Sequence, residues 1–279
     1  TAKKTFLIVF FAVLTVVTAL TTLTVDISSM SFAEVVHVLL NKNDPANDRA
    51  DVILVWNLYL PRIVCGIIAG FALGIAGTVM QCVLRNPLGS PYTLGISNAA
   101  AFGASVGIVL GGGSVVGQSN ASILIDNPYL VTVSAFIWAM VATGVIILLV
   151  KRTKVNAETM VLAGVAVSSI FSAGVSALQY IFNEYALSTI VFWQFGSLGK
   201  ATWSQLGLIA AVLLMTAAYF FWKRWDYNAL DSGADVAKSL GINVDRVRLV
   251  TLFLSALLTA VVVSFMGIIA FIGLLGPHM

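Results

Sequence analysis

Charge is scarce in this chain. Only 10% of its 279 residues are Asp, Glu, Lys or Arg, against about 25% in a soluble domain. That is too little to coat a water-exposed surface, and the same composition excludes collagen, disorder and a disulfide scaffold. Cysteine and histidine are almost missing, with two of each. Cys65 and Cys82 fall on one predicted helix, about 25 Å apart at 1.5 Å per residue, so they cannot pair within the chain. His37 and His278 make no HExxH or other metal cluster. No catalytic constellation is present, and neither a metal nor a cofactor is expected. The net charge of +3 calls for a topological reading, and no nucleic-acid partner is expected.

What is present is apolar: 59% hydrophobic residues and a mean hydropathy of +0.98. A helix needs about 20 mostly apolar residues to cross roughly 30 Å of hydrocarbon. Seven stretches meet or approach that length: 5–25, 63–84, 95–111, 129–150, 159–182, 204–222 and 249–266. None contains Asp, Glu, Lys or Arg. A run such as 204–222 lacks the alternation of a barrel strand. The expected fold is all-α, a polytopic transmembrane helical bundle. Lys and Arg collect in cytoplasmic loops. With the N-terminus inside, eleven basic residues fall on the inner side, Lys3, Lys4 and Lys154 among them, and only Lys42, Arg49, Arg62 and Lys200 fall outside. A cytoplasmic N-terminus is therefore expected. A cleaved signal peptide is the alternative use of the first span, but its apolar core exceeds the usual 7–15 residues.

The loops carry further signals. Ser31 to Glu34 is a capping box, and Phe32, Val35, Val36, Leu39 and Leu40 then share one helical face. Gly66, Gly70, Gly74 and Gly77 line the second span at spacings that let helix backbones approach. In the fifth span Ser168, Ser172, Ser176 and Gln179 share a face. They either line a water-filled path or bond their own helix and permit close packing. In the inner loop 223–248, Asp231 and Ser232 can cap a short helix. Val236 and Leu240 give that helix an apolar face and Gly241 can end it. Such a helix suits docking onto a soluble partner, and an ordinary connecting loop is the alternative. From Gly267 another apolar segment begins, 267–279, so a longer protein is expected to continue it.

Six segments taken together resemble one family. They are Leu60-Pro61-Arg62 with the glycine-rich span ending in Val79-Met80-Gln81, then Arg85-Asn86-Pro87-Leu88 running to Leu94-Gly95-Ile96-Ser97. Leu162 to Ala166 follows, then Phe192-Trp193 with Gly196-Ser197-Leu198, then Ala237 to Val244, then Gly267 through Phe271-Ile272-Gly273-Leu274 to Pro277-His278. They resemble the membrane subunits of type II ATP-binding-cassette (ABC) importers for iron-siderophores, haem and vitamin B12. The resemblance implies a homodimer or pseudo-dimer of ten-helix subunits in the prokaryotic cytoplasmic membrane. It implies two cytoplasmic ATP-binding subunits, an extracytoplasmic substrate-binding protein and a path along the dimer interface. By that resemblance the loop helix with Ser232, Gly233, Asp235, Val236, Leu240 and Gly241 engages the ATPase. The fifth span lines the path, and Thr189 to Leu198 forms a short outer helix. Arg62 matches the second arginine of an Arg-x-Pro-Arg element that meets acidic residues of the binding protein. The first arginine is replaced by Tyr59, and interface anchoring is the alternative role for Arg62. The chain itself is expected to be non-catalytic. A stand-alone secondary transporter or channel is the competing function, and it would need the intramembrane charges that the spans lack.

Overall fold

The computed structural model describes residues 2–26, 30–44, 48–111, 128–153 and 155–278. Lys154 and Met279 lie outside the described residues, as do the side chains of Lys3 and Lys4. The chain forms two compact units, Thr1–Ile67 with Leu198–Leu206 and Ile68–Ser197 with Gly207–Met279.

The first unit starts with α1 (Ala2–Asp26), apolar and exposed on nearly every side, with Leu23 buried. α2 (Phe32–Leu40) starts on the expected capping box. The Ser31 N–H donates to Glu34 Oε2 at 2.7 Å and the Glu34 N–H to Ser31 Oγ at 3.4 Å. Its buried face is narrower than the expected five residues. Val35 and Val38 are buried and Leu39 packs against them, while Phe32 and Leu40 stay exposed. Asp48 caps α3 (Arg49–Ile53), which runs through a π-helical stretch, Leu54–Tyr59, into α4 (Leu60–Leu84). Pro61 explains the wide turn. It has no N–H to donate, and its ring clashes with the carbonyl four residues back, so the helix loosens just before it. The Leu60 N–H accordingly donates to Val55 O, five residues back. The indole N–H of Trp203 donates to Trp56 O at 3.0 Å.

The second unit is built around α5 (Ile96–Leu110), of whose fifteen residues ten are buried. Lipid tails are as apolar as leucine, so helices in a membrane associate by close packing and hydrogen bonds. α5 meets that requirement with Ala99, Ala100, Gly103, Ala104 and Gly107. A Cβ on Gly103 would sit 2.9 Å from Ala135 Cα, and one on Gly107 2.9 Å from Val131 Cα, both on α6 (Pro128–Arg152). Ser134 Oγ donates to Gly103 O at 2.6 Å. At 1.5 Å per residue α5 reaches only about 22 Å. Surrounded by protein, it has no need to match the bilayer. Six helical segments are long and apolar enough to cross: those containing α1, α4, α6, α7 (Ala157–Ile181), α9 (Trp203–Trp222) and α12 (Val244–Met266). α5 is the shorter seventh. α12 is two-thirds buried, while α7 and α9 turn most of their apolar surface outward.

Several boundaries differ from expectation. The helical segment of the second span runs on from Arg49, well ahead of the apolar run at 63–84. The short helix after α7 is α8 (Glu184–Gln194), capped by Asn183 and finished before Gly196, so it does not cover Thr189–Leu198. α12 begins at Val244, five residues earlier than the apolar run, because Asn243 caps it with a bond from the Arg246 N–H. The 267–279 segment is not a regular span. It is irregular through Ala270, then forms α13 (Ile272–Leu275) and a 3-10 turn to His278.

Candidate functional site

The end of the second unit where α4, α6 and α9 finish and α5, α7 and α12 begin carries its basic residues, among them Arg85, Lys151, Arg152, Lys223 and Arg224. Here α10 (Arg224–Ser232) and α11 (Ala234–Ser239) form a projecting elbow. Asp231 and Ser232 do not cap α11. They are the last turn of α10, because the helix already starts at Arg224, and Ser232 Oγ bonds back to Asn228 O. The break falls at Gly233, whose φ of 136° suits glycine. α11 does end at Gly241, in a Schellman motif. The Gly241 N–H donates to Lys238 O, the Ile242 N–H to Ala237 O, and Gly241 sits at φ 81°.

The elbow has two faces. Tyr227, Leu230 and Ala237 are buried against Val79 and Val83 of α4, Phe220 of α9, and Val244 and Val247 of α12. The Tyr227 hydroxyl lies 2.8 Å from Thr251 Oγ1 on α12, and Cys82 of α4 donates to Tyr227 O. Burial pushes the Tyr227 phenol above its ordinary range, so it stays protonated. On the other face Ser232, Asp235, Val236, Leu240 and Gly241 are exposed, with Leu240 at 67%. The elbow thus holds three membrane helices on one side and leaves two apolar side chains, Val236 and Leu240, exposed on the other. The six predicted loop residues are brought together here.

The serine stripe of α7 divides. Asn98 of α5 donates to Ser168 Oγ at 2.6 Å, and a Cβ on Gly95 would press into Ser168, 2.7 Å from its Cα. Ser168 is a packing residue between α5 and α7. Ser172 and Ser176 are exposed, with Ser176 Oγ bonded to Ser172 O, and Gln179 is half-buried. Arg62, in the first unit, stacks its guanidinium 5.4 Å from the centroid of the Tyr59 ring. The residue that replaces the expected first arginine therefore supports the second. In the same unit, burial lowers the Lys200 ammonium below its ordinary value.

Four contacts that residue spacing did not reveal hold the second unit together. Gly196 (φ 64°) and Gly267 (φ 76°) touch backbone to backbone: a Cβ on Gly267 would lie 2.7 Å from Gly196 Cα, and the Ser197 N–H donates to Met266 O. Gly164 of α7 lies against Leu94, whose Cα would be 2.9 Å from an added Cβ. Gln81 Nε2 donates to Leu274 O, and His278 Nε2 lies 3.1 Å from Pro87 O. Only the glycines hinted at these contacts, and spacing alone does not name the partner.

Residues 13–279 match the FecCD transport family. The chain belongs to that family. Among its relatives is a candidate ABC transporter permease of Methanocaldococcus jannaschii, 48% identical over 226 residues, 81% of this chain and 64% of the relative. The hemin transport system permease HmuU of Yersinia pestis is 35% identical over 226 residues, 81% of this chain and 65% of the relative. The chain therefore spans a little under two thirds of the length of these two FecCD relatives. A solved structure described as an inward-facing conformation of a candidate metal-chelate type ABC transporter superposes with a TM-score of 0.78 at 28% identity. It covers 96% of this chain and 78% of the other.

Proposed function

We propose that this FecCD-family chain is the transmembrane subunit of an ATP-driven importer carrying a metal chelate (an iron-siderophore, haem or cobalamin) across the prokaryotic cytoplasmic membrane. Two copies form the pathway, cytoplasmic ATP-binding subunits dock on the elbow, and an extracytoplasmic substrate-binding protein delivers cargo near Arg62. The N-terminus faces the cytoplasm. The chain itself catalyses nothing.

One observation carries this reading: the exposed Val236 and Leu240 side chains sit on a body whose opposite face is bolted to α4, α9 and α12. A partner closing on that face moves the elbow as a unit, because Tyr227, Leu230 and Ala237 leave it little freedom of its own. The three helices receive the movement at their ends. No Asp, Glu, Lys or Arg lies in the seven apolar stretches, so ion coupling has no group to act on, and the work comes from outside the membrane. Ser172, Ser176 and Gln179 supply a mildly polar wall for the path, and Ser168 positions it. A large cargo meets few ionic contacts there, which leaves selectivity mainly to the binding protein.

The test is Leu240→Glu in the full-length protein, assembled with its ATPase in vesicles. An unpaired charge forced into a closed interface weakens docking by about tenfold or more, so ATP-dependent uptake should fall by that order. Unchanged uptake removes the elbow from the mechanism. Uptake that proceeds without ATP replaces the importer with a secondary transporter or channel.

A further inference from the structure

α9 delivers an unusual cluster to the membrane boundary. Its twenty residues span about 30 Å, the thickness of the hydrocarbon core, so its last turn and the start of α10 lie at headgroup level. There the side chains of Phe221, Trp222 and Trp225 are exposed at 69%, 70% and 68%. Aromatic rings at that depth are interface anchors. These rings carry two cations. Lys223 Nζ sits 4.8 Å from the centroid of Trp222 and pairs with Asp226 Oδ2 at 2.9 Å, which cancels its charge. The Arg224 guanidinium is held between two rings, 4.4 Å from the Phe221 centroid and 5.4 Å from that of Trp225. Its Nη1 donates to Phe221 O at 3.1 Å. Among the described residues no carboxylate pairs with it. The cluster therefore keeps one net positive charge, on an exposed guanidinium stacked against two rings.

We propose that this turn is a binding site for the headgroup of an anionic phospholipid. The phosphate accepts from the Arg224 guanidinium while the acyl chains run down the outward face of α9 past Leu214 and Met215, both exposed. Charge decides the lipid class. A zwitterionic headgroup brings its own cation to a site already positive, whereas an anionic one neutralises it, and each interfacial Arg is worth about a fivefold preference for an anionic surface. The stacked rings preorganise the guanidinium, so the geometry asks for Arg and not simply for a positive charge. The site also lies at the root of the elbow, so a bound headgroup pins the point where α9 hands over to α10.

The experiment is native mass spectrometry of the full-length protein in mild detergent, titrated with dioleoyl phosphatidylglycerol or with dioleoyl phosphatidylcholine. The wild type should retain phosphatidylglycerol at least about fivefold better. Arg224→Gln should erase most of that preference and Arg224→Lys should keep only part of it. Arg152→Gln, which removes a cation stacked on no ring among the described residues, should lower it far less than Arg224→Gln does. Circular dichroism reports whether each variant is folded. Should Arg224→Gln misfold, Phe221→Leu with Trp225→Leu, which removes both rings that stack on Arg224, should lower the preference, and a preference unchanged in that pair overturns the proposal. Equal retention of both lipids by the wild type overturns the proposal. So does a preference that survives Arg224→Gln, or one lost equally in Arg152→Gln. A change of oligomeric state in place of lipid retention would assign the patch to a second copy of the chain.

Discussion

The Tyr227–Thr251 pair is the sharpest place to test whether the elbow is fastened to α12. Tyr227 is 7% exposed and Thr251 is fully buried, and their hydroxyls are 2.8 Å apart. A net hydrogen bond contributes about 0.5–1.5 kcal/mol, and a buried polar group left without a partner costs about 1–3 kcal/mol. The two single substitutions should therefore differ. In Tyr227→Phe the Thr251 hydroxyl retains an outlet, the helix carbonyl four residues earlier. Thr143 and Thr216 use that outlet in this structure. The expected loss is about 0.5–1.5 kcal/mol. Thr251→Val strands the phenol, which burial keeps protonated, and should cost about 1–3 kcal/mol. The double variant strands nothing and should be close to Tyr227→Phe alone, so the coupling energy is about 1 kcal/mol or more. Denaturant titration of the four proteins in one detergent measures this cycle. Additive single effects, or Tyr227→Phe being the more damaging, would refute the fastening.

Two further outcomes follow from the geometry. Gly77→Ala drives a Cβ into the Gly273 carbonyl, with Gly273 Cα only 2.8 Å away, and backbone on both sides leaves no rotamer to give way. It should cost about 1–3 kcal/mol, whereas Gly70→Ala and Gly74→Ala meet nothing within 4 Å and should be neutral or slightly stabilising. A similar response from all three glycines in unfolding titrations would show that 271–278 does not pack on α4. Hydrogen bonds from Ser31 hold the Glu34 carboxyl below its ordinary value. Its contribution to the α2 cap is thus complete above the unfolded carboxyl pKa, about 4.3, and is lost as pH falls through the lowered folded value. The protection factor of the Ser31 amide, its exchange rate relative to the intrinsic rate at each pH, should fall in that acid window, and Glu34→Gln should remove that dependence; a wild-type protection factor that stays flat there would mean the cap is not formed.

The class of fold was legible because hydrocarbon allows few solutions. A chain that must satisfy its backbone without water writes its helices as long apolar runs, and the runs at 129–150, 159–182 and 204–222 are helices within a few residues. Function-bearing detail was legible only where a residue acts on its own chain neighbourhood. Gly241 ends α11 as expected because a Schellman turn is local. Asp231-Ser232 misled because a capping residue type says nothing about whether a helix has already begun upstream. The serine stripe left its two readings open for a different reason: period names a shared face, but Asn98 and Gly95 pack against Ser168 while Ser172 and Ser176 stay exposed. The partner of a face is long-range information.

The resemblance motifs show how that long-range information can be present in pieces. Each segment is weak alone, a few small or turn-forming residues, yet in space they meet in pairs. Gln81 reaches Leu274, Pro87 meets His278, Leu94 and Gly95 lie against Gly164 and Ser168, and Gly196 lies against Gly267. In a membrane there is little hydrophobic gain from bringing helices together, so contact depends on backbones that can approach and on polar groups that find one another. Each such contact needs the right residue on both sides. A Cβ added at Gly267 is blocked by Gly196, and the positive φ of both positions excludes the substitution twice over. The motifs therefore carry meaning as sets. Their joint occurrence in order along one chain is what a bundle closed by backbone contacts requires, and the elbow at the basic end inherits its rigidity from that closure.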